Sequence, residues 1–353
     1  MELETGRIRI KDIARKANVS TGTVDRVIHK RMGVSQKSKE KVQKILDEMH
    51  YVPNRYASAL ALNKKFLFIC LIPLHHEDEY WQYVENGIVE AIQFYSDFNI
   101  KLQINYYDPF NPDTFKEQSK KIIKENPSGI IFSPTSLEAT KEFTDILKEN
   151  EIPFVYLDSF YKEIQPLAFF GQHSFKSGYF AGKLLMSIGS YPKEIAIFRN
   201  SRKGIIGSNQ QEVREIGFRN YMQSTHPKCK ILTLDLKGEN NIDDIKAIKE
   251  FSSQHLNLER GITFNSKAFL VAENFRSINN NKFIFIGYDL LKRNREALKK
   301  GHITMLIAQR PEQQGSYAVK ALSDHLLFKK DFPWLHYMPF DLITKETLEF
   351  YNF

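Results

Sequence analysis

The stretch VSTGTVDRVIHK, Val19 to Lys30, carries two different faces. Val24, Val27 and Ile28 recur at helical spacing and read as the side turned to a core. Thr21, Asp25 and His29 form a row on the other side, with Gly22 and Arg26 beside them and Ser20 and Thr23 at the start. The charge around this face is unbalanced. Residues 1 to 65 hold 15 Lys and Arg against 7 Asp and Glu, whereas the rest of the chain holds 35 of each sign. The whole formal excess of +8 therefore sits in the first fifth of the chain, which reads as an anion-binding head on a neutral body. On such a head Arg26 can pair bidentately with guanine O6 and N7, a contact worth about 1–3 kcal/mol of discrimination. Asp25 accepts hydrogen bonds only. It can read cytosine N4, repel phosphates so as to hold down non-specific affinity, or orient a neighbouring basic side chain, and base reading is the favoured role.

The elements that must position these residues are short. Lys11 to Ala17, Ser20 to His29 and Ser35 to Met49 read as three helices, with Ser20 and Ser35 as N-caps. Asn18 and Val19 make the turn between the first two. Together they predict a helix-turn-helix whose second helix enters the major groove N-terminus first. Pro53 stops the third helix. Residues 53–65 then read as a linker that can be helix or coil, because about two turns are too short to be stable alone.

From Phe66 onward short apolar strands alternate with amphipathic helices. The strand candidates are FLFICLIPL, KLQINYY, GIIFS, PFVYL, LAFF, EIAIF, KILTLDL, GITF, FIFIGYD and ITMLIA. Such alternation implies parallel sheets flanked by helices, and ten strands suit two sheets better than one. Ligands in such folds bind at the C-terminal ends of strands, here in the cleft between the lobes. The first lobe is expected to span about 66–165 and 310–329, and the second about 166–309 and 330–353.

The run RIKDIARKANVSTGTVDRVIHKRMGVSQKSKEKVQKILDEMHYVPNRYASALA resembles the DNA-binding head and hinge of the lactose/purine repressor (LacI) family. The likeness rests on DIA, ANVS, TV-x-RV, the VS opening the third helix, and YVPN followed by Ala-x-x-Leu. It implies a head over 1–52, a hinge over 53–65 and, over 66–353, a type I periplasmic-binding-protein-like sensor. It also implies that the hinge becomes helical on operator DNA, with Asn54 capping it, Ala57 letting it sit deep in the minor groove and Leu60 wedging a base step. Two hinges must then meet, so a homodimer, a tetramer not excluded, and a pseudo-palindromic double-stranded operator follow. Gly22 departs from the family, which mostly places a side chain there.

For the sensor the resemblance implies a sugar-like effector. Asp158 in PFVYLDS, Arg214 three residues before Gly217-Phe218, Asn265 after GITF, Asp289 ending FIFIGYD and Gln309 ending ITMLIAQ match the positions that line the cleft in related sugar binders. Tyr80 and Trp81 match the aromatics that stack on the sugar ring. Carboxylate, guanidinium and amide groups suit vicinal hydroxyls because each can make paired hydrogen bonds. Ser159 departs from the pattern. Related binders often have Arg there, so a differently substituted sugar, a uronate or a polyol stays open.

Other chemistries find less support. Cys70 lies in an apolar run, and two cysteines cannot make a disulfide framework. His75 to Glu79 is expected to line the cleft mouth rather than to bind metal, and no Walker loop, Gly-x-Ser-x-Gly elbow or His-Glu-x-x-His occurs. No cofactor is expected. The start MELETGRIRIKD lacks a signal-peptide apolar stretch, and no later run is long enough to span a bilayer, so a cytoplasmic protein is expected. That argues against a sugar-binding transport protein. An α/β carbohydrate-active enzyme with a DNA-binding head is the other alternative: Asp158 and Asp289 could supply an acid/base pair, but nothing activates a leaving group.

Overall fold

The computed structural model describes residues 8–28, 31–49, 51, 64–238, 242–275 and 283–351. The chain divides into two units, Met1–Asn63 and Lys64–Phe353.

The first unit holds helices α1 (Ile10–Ala17), α2 (Thr21–Ile28) and α3 (Gln36–Glu48). Their shared core is Ile13, Ala14, Ala17, Val24, Val27, Val42 and Leu46, with Ile28, Ile45 and Met49 half-buried at its rim. α1 ends where Asn18 takes a left-handed conformation (φ 50°). Helices α2 and α3 each begin one residue later than the sequence suggests, for a physical reason. Ser20 and Ser35 are the caps themselves, outside the helix, with each Oγ accepting a backbone N–H three residues on (3.1 Å from Thr23 and 3.3 Å from Ser38). His29 and the hinge positions Asn54, Ala57 and Leu60 lie outside the described residues.

The second unit is two α/β lobes. The first has strands β1 (Phe66–Pro73), β2 (Ile100–Tyr107), β3 (Gly129–Phe132), β4 (Phe154–Leu157), β5 (Ala168–Gly171) and β11 (Leu335–Tyr337), all parallel, in the order β11-β5-β4-β3-β1-β2. The second has β6 (Glu194–Asn200), β7 (Lys230–Leu236), β8 (Arg260–Thr263), β9 (Ile284–Tyr288), β10 (Met305–Ala308) and β12 (Asp341–Ile343), in the order β12-β10-β9-β8-β6-β7. Only β12 runs antiparallel to its neighbour. Central strands such as GIIF and FVYL are buried along their whole length, as strands covered by helices on both faces must be.

The ten expected strands are all present. The lobe boundaries need correction. β5 is hydrogen-bonded to β4 and β11 to β5, so 168–171 and 335–337 belong to the first lobe, not the second. The chain thus crosses between lobes after β5, after β10 and after β11. β11 and β12 are three residues each, too short to show an alternation of two, and flank Met338-Pro339-Phe340.

Two helix pairs brace the cleft. In the first lobe α4 (Tyr80–Gln93) packs on α12 (Pro311–Phe328), and in the second α7 (Ser174–Met186) packs on α8 (Asn209–Thr225). Both pairs close through reciprocal glycines. A Cβ on Gly87 would lie 2.0 Å from the Glu312 carbonyl oxygen and one on Gly315 2.2 Å from that of Val84. In the second pair a Cβ on Gly178 would lie 1.8 Å from the Arg214 carbonyl oxygen, and one on Gly217 2.0 Å from that of Phe175.

Candidate functional site

On the head, burial sorts the recognition helix into its two faces. Val24 and Val27 are buried, Ser20, Thr21, Gly22 and Arg26 are exposed, and Thr23 and Asp25 are intermediate. Ser20 is partly engaged in structure, since its hydroxyl caps α2 and also meets Thr23 Oγ1 at 2.9 Å. A Cβ on Gly22 would meet nothing closer than 3.8 Å, so packing does not demand glycine there. Asp25 has a basic neighbour: Arg31 Nη1 donates to its Oδ2 at 3.3 Å. Arg31 was not foreseen, because it lies six residues on and beyond the helix, where no periodicity links the two.

In the second unit, all seven expected cleft residues line one cavity of about 650 Å³ between the lobes. Its floor is built from two matching devices. Asp158 stands one residue past β4, and its N–H donates to the Phe170 carbonyl of β5 at 3.0 Å. Asp289 stands one residue past β9, and its N–H donates to the Ile307 carbonyl of β10 at 3.0 Å. Both are left-handed, with φ of 68° and 69°, a conformation unusual for a side-chain-bearing residue. Each lobe thus turns a carboxylate out of its sheet into the cleft.

Arg214, on the second turn of α8, is 1% exposed. Its guanidinium lies 4.0 Å from the centre of the Tyr288 ring and donates to the Phe264 carbonyl (3.1 Å), Gln172 Oε1 (3.1 Å) and Gln309 Oε1 (2.9 Å). These acceptors are neutral. Arg214 Nε and Asp158 Oδ1 are buried without a hydrogen-bond partner among the described residues. Burial pushes the Asp158 carboxyl up to about 6, with Arg214, Tyr80 and Gln210 opposing it. Burial pushes Asp289 up to about 7; Arg214 and Gln309 pull it down, while Asp158 and Glu312 push it further up.

The amides form a scaffold around these charges. Gln309 Nε2 donates to Asp289 Oδ1 at 2.7 Å, and Gln210 Nε2 donates to Gln309 Oε1 at 3.1 Å and to the Asp158 carbonyl at 3.2 Å. Asn265 is held at both ends, accepting from the Lys267 N–H and donating to Gln211 Oε1, each at 2.9 Å. Gln172 does more. Its Nε2 donates to the carbonyls of Ala308 and Pro339, both at 2.9 Å, so one side chain ties together all three crossings between the lobes. Of the two aromatics, Tyr80 is 7% exposed and its hydroxyl donates to Gln314 Oε1 at 3.2 Å. Trp81 meets it edge-on and is the more open ring. Gln172, Gln210 and Gln211 were not foreseen; Gln210 and Gln211 precede Arg214 by about one helical turn, the only signal available.

The mouth carries bonds from lobe to lobe. Glu79 Oε1 pairs with Lys267 Nζ at 2.8 Å; burial works against the ionised carboxyl, but the ammonium outweighs it and holds Glu79 below its ordinary value. Asp78 Oδ1 accepts the Lys292 N–H at 2.8 Å. That N–H opens α11 (Lys292–Lys299), whose own preceding residue, Leu291, offers no side-chain cap. The Arg202 guanidinium sits 4.2 Å from the centre of the Phe110 ring. His75 turns elsewhere, with Nε2 3.2 Å from Glu85 Oε2, while His76 to Glu79 line the mouth. Among the described residues no group of three His, Cys, Asp or Glu is placed to hold a metal, and no helix is long and apolar enough to cross a membrane.

Known proteins agree with this architecture. Residues 9–54 match the bacterial regulatory proteins of the lacI family, and 69–330 match the periplasmic binding protein domain. A crystal structure from Bacteroides fragilis, ascribed to the LacI transcriptional regulators, is 48% identical, covers 82% of this chain and all of its own, and superposes with a TM-score of 0.79. A solute binding protein of an ABC transporter from Bacillus halodurans, solved with myo-inositol, is 18% identical over 81% of this chain and 97% of its own, with a TM-score of 0.71, which shows the fold alone. The HTH-type transcriptional regulator DegA of Bacillus subtilis is 29% identical over 185 residues, 51% of this chain and 52% of that protein. The chain thus spans about half the length of that curated relative. With a lacI-type helical head followed by a two-lobed periplasmic-binding-protein-like body, the chain belongs to the LacI family of transcriptional regulators.

Proposed function

We propose that this regulator is a repressor that binds a pseudo-palindromic double-stranded operator as a homodimer in the cytoplasm, and that a small sugar-class effector in the cleft controls its affinity for DNA. Thr21, Gly22, Asp25 and Arg26 face base edges, and the basic head supplies the phosphate contacts. The observation that carries the effector reading is the convergence of Asp158, Asp289, Arg214 and Gln309 on one buried floor, with Trp81 beside it. Carboxylates, a guanidinium and amides around an aromatic ring fit the hydroxyls and the apolar face of a sugar. Effector binding shifts the balance between a DNA-competent and an incompetent arrangement, because it favours one lobe geometry over the other.

Titrating the full chain against operator-containing and scrambled duplexes at several salt concentrations tests the DNA half. Affinity should fall steeply with salt and vanish on deletion of residues 1–65. Undiminished affinity of the truncated chain would refute it. Arg214→Ala should spare DNA binding and abolish effector response; persistence of both misplaces the cleft.

A further inference from the structure

The floor of the cleft is out of electrical balance. Two buried carboxylates, Asp158 and Asp289, face it, and Arg214 is the cation beside them. Among the described residues neither aspartate makes an ion pair, and the hydrogen bonds of Arg214 go to a carbonyl and two glutamine oxygens. Asp158 Oδ1 is buried without a hydrogen-bond partner among the described residues. The imbalance extends outward. Six carboxylates and four Lys or Arg side chains line the cavity. Of those cations, Lys267 is paired with Glu79 (2.8 Å) and Arg293 with Glu273 (2.7 Å), while Arg202 donates to the Lys237 carbonyl (3.2 Å). The residue after Asp158 is a serine, buried, which adds no charge.

With both carboxyls ionised, a neutral sugar would fill the hydrogen-bonding sites and leave one negative charge buried. An acidic sugar would add a second. A buried charge left unpaired is costly, and it is relieved either by protonation of a carboxyl or by a ligand that brings the missing cation. The partly exposed Trp81 ring in the wall is a surface on which an ammonium is also welcome.

We propose that the effector carries a cationic amine, as in an amino sugar, whose ammonium is received by Asp158 between the two floor carboxylates. This rests on the sugar-class effector reading above and narrows it. The ammonium takes the place of the proton that a buried carboxyl otherwise holds. Asp158 is faced by Arg214, Tyr80 and Gln210, and Asp289 by Arg214, Gln309, Asp158 and Glu312. Amine binding therefore strengthens as pH rises through the range in which these acids ionise.

The test is calorimetry and thermal shift on the full chain with glucosamine, galactosamine and mannosamine. Each is compared with its neutral parent hexose and N-acetylated form, and with glucuronate and galacturonate, at pH 7.5 and 5.5. At least one amino sugar should bind tenfold or more tightly than both its neutral counterparts at pH 7.5, and lose most of that advantage at pH 5.5. Asp158→Asn should erase the preference, and its fold is expected to survive because asparagine tolerates the left-handed backbone at this position. A neutral or acidic sugar that binds as well as every amino sugar overturns the amine, and leaves the sugar effector standing. So does a preference that survives in Asp158→Asn. Failure of every sugar in the panel to bind overturns both readings.

Discussion

The two lobes meet the cleft with walls that are alike in one respect and unlike in another. Each sends in one aspartate from the residue after a central strand, held left-handed by a backbone bond to the next strand. Each braces its wall with a helix pair closed by reciprocal glycines. Only the second lobe adds a buried arginine to the lining, and the first offers the rings of Tyr80, Trp81 and Phe110 instead. The likeness is geometric, the product of two similar βα layers. The difference is electrostatic. Backbone architecture repeats easily between the lobes, whereas charge is assigned residue by residue.

Removing the unmatched group should have the largest effect. Arg214→Ala takes away the cation between two buried acids and should weaken effector binding at least a hundredfold in calorimetry, with DNA affinity retained. Next come the glycines. Gly178→Ala pushes a methyl into the Arg214 backbone and should cost both stability, on the order of 2–3 kcal/mol, and about tenfold in effector affinity. Gly87→Ala, its counterpart in the first lobe, should cost similar stability and much less affinity. Equal losses of affinity would show that the two walls are not distinguished by the arginine.

The paired aspartates give a pH signature. Both carboxyls are raised in the folded state, to about 6 and about 7, so between pH 4 and 7 the folded chain binds more protons than the unfolded one. Linkage then makes stability fall as pH rises through that window, by roughly 1–3 kcal/mol for each group. Denaturant melts from pH 5 to 7.5 should show the decline. Asp289→Asn should remove more of it than Asp158→Asn. The smallest effect belongs to the mouth: Lys267→Ala breaks a single partly buried pair, its side chains 20% and 26% exposed, and should change stability by about 1 kcal/mol.

Much of this organisation was legible in the sequence. The head was readable because its faces follow helical spacing and its caps are serines at the expected places. The ten main strands were readable as apolar runs between turn residues, and the cleft residues by resemblance to related sugar binders, at strand ends for Asp158, Asn265, Asp289 and Gln309 and near helix starts for Tyr80, Trp81 and Arg214. What was hidden has a common character. β11 and β12 are too short for a period. Arg31 reaches Asp25 from outside the helix, and Gln172 meets Ala308 and Pro339 across more than 130 residues of chain. Such partners are set by topology, which no local pattern records. The misplacement of β5 and β11 has the same origin, since a strand's own sequence does not say which sheet it joins.

The bond from Asp78 to the first N–H of α11 makes one backbone amide a gauge of lobe separation. Because the cap of this helix is supplied from the opposite lobe, any opening of the mouth must first release the Lys292 N–H to solvent. Its exchange rate and its amide chemical shift would follow the lobes directly, with no label or engineered reporter. Effector, pH and operator could each be added in turn, and that single resonance would rank them by how far they open or close the cleft.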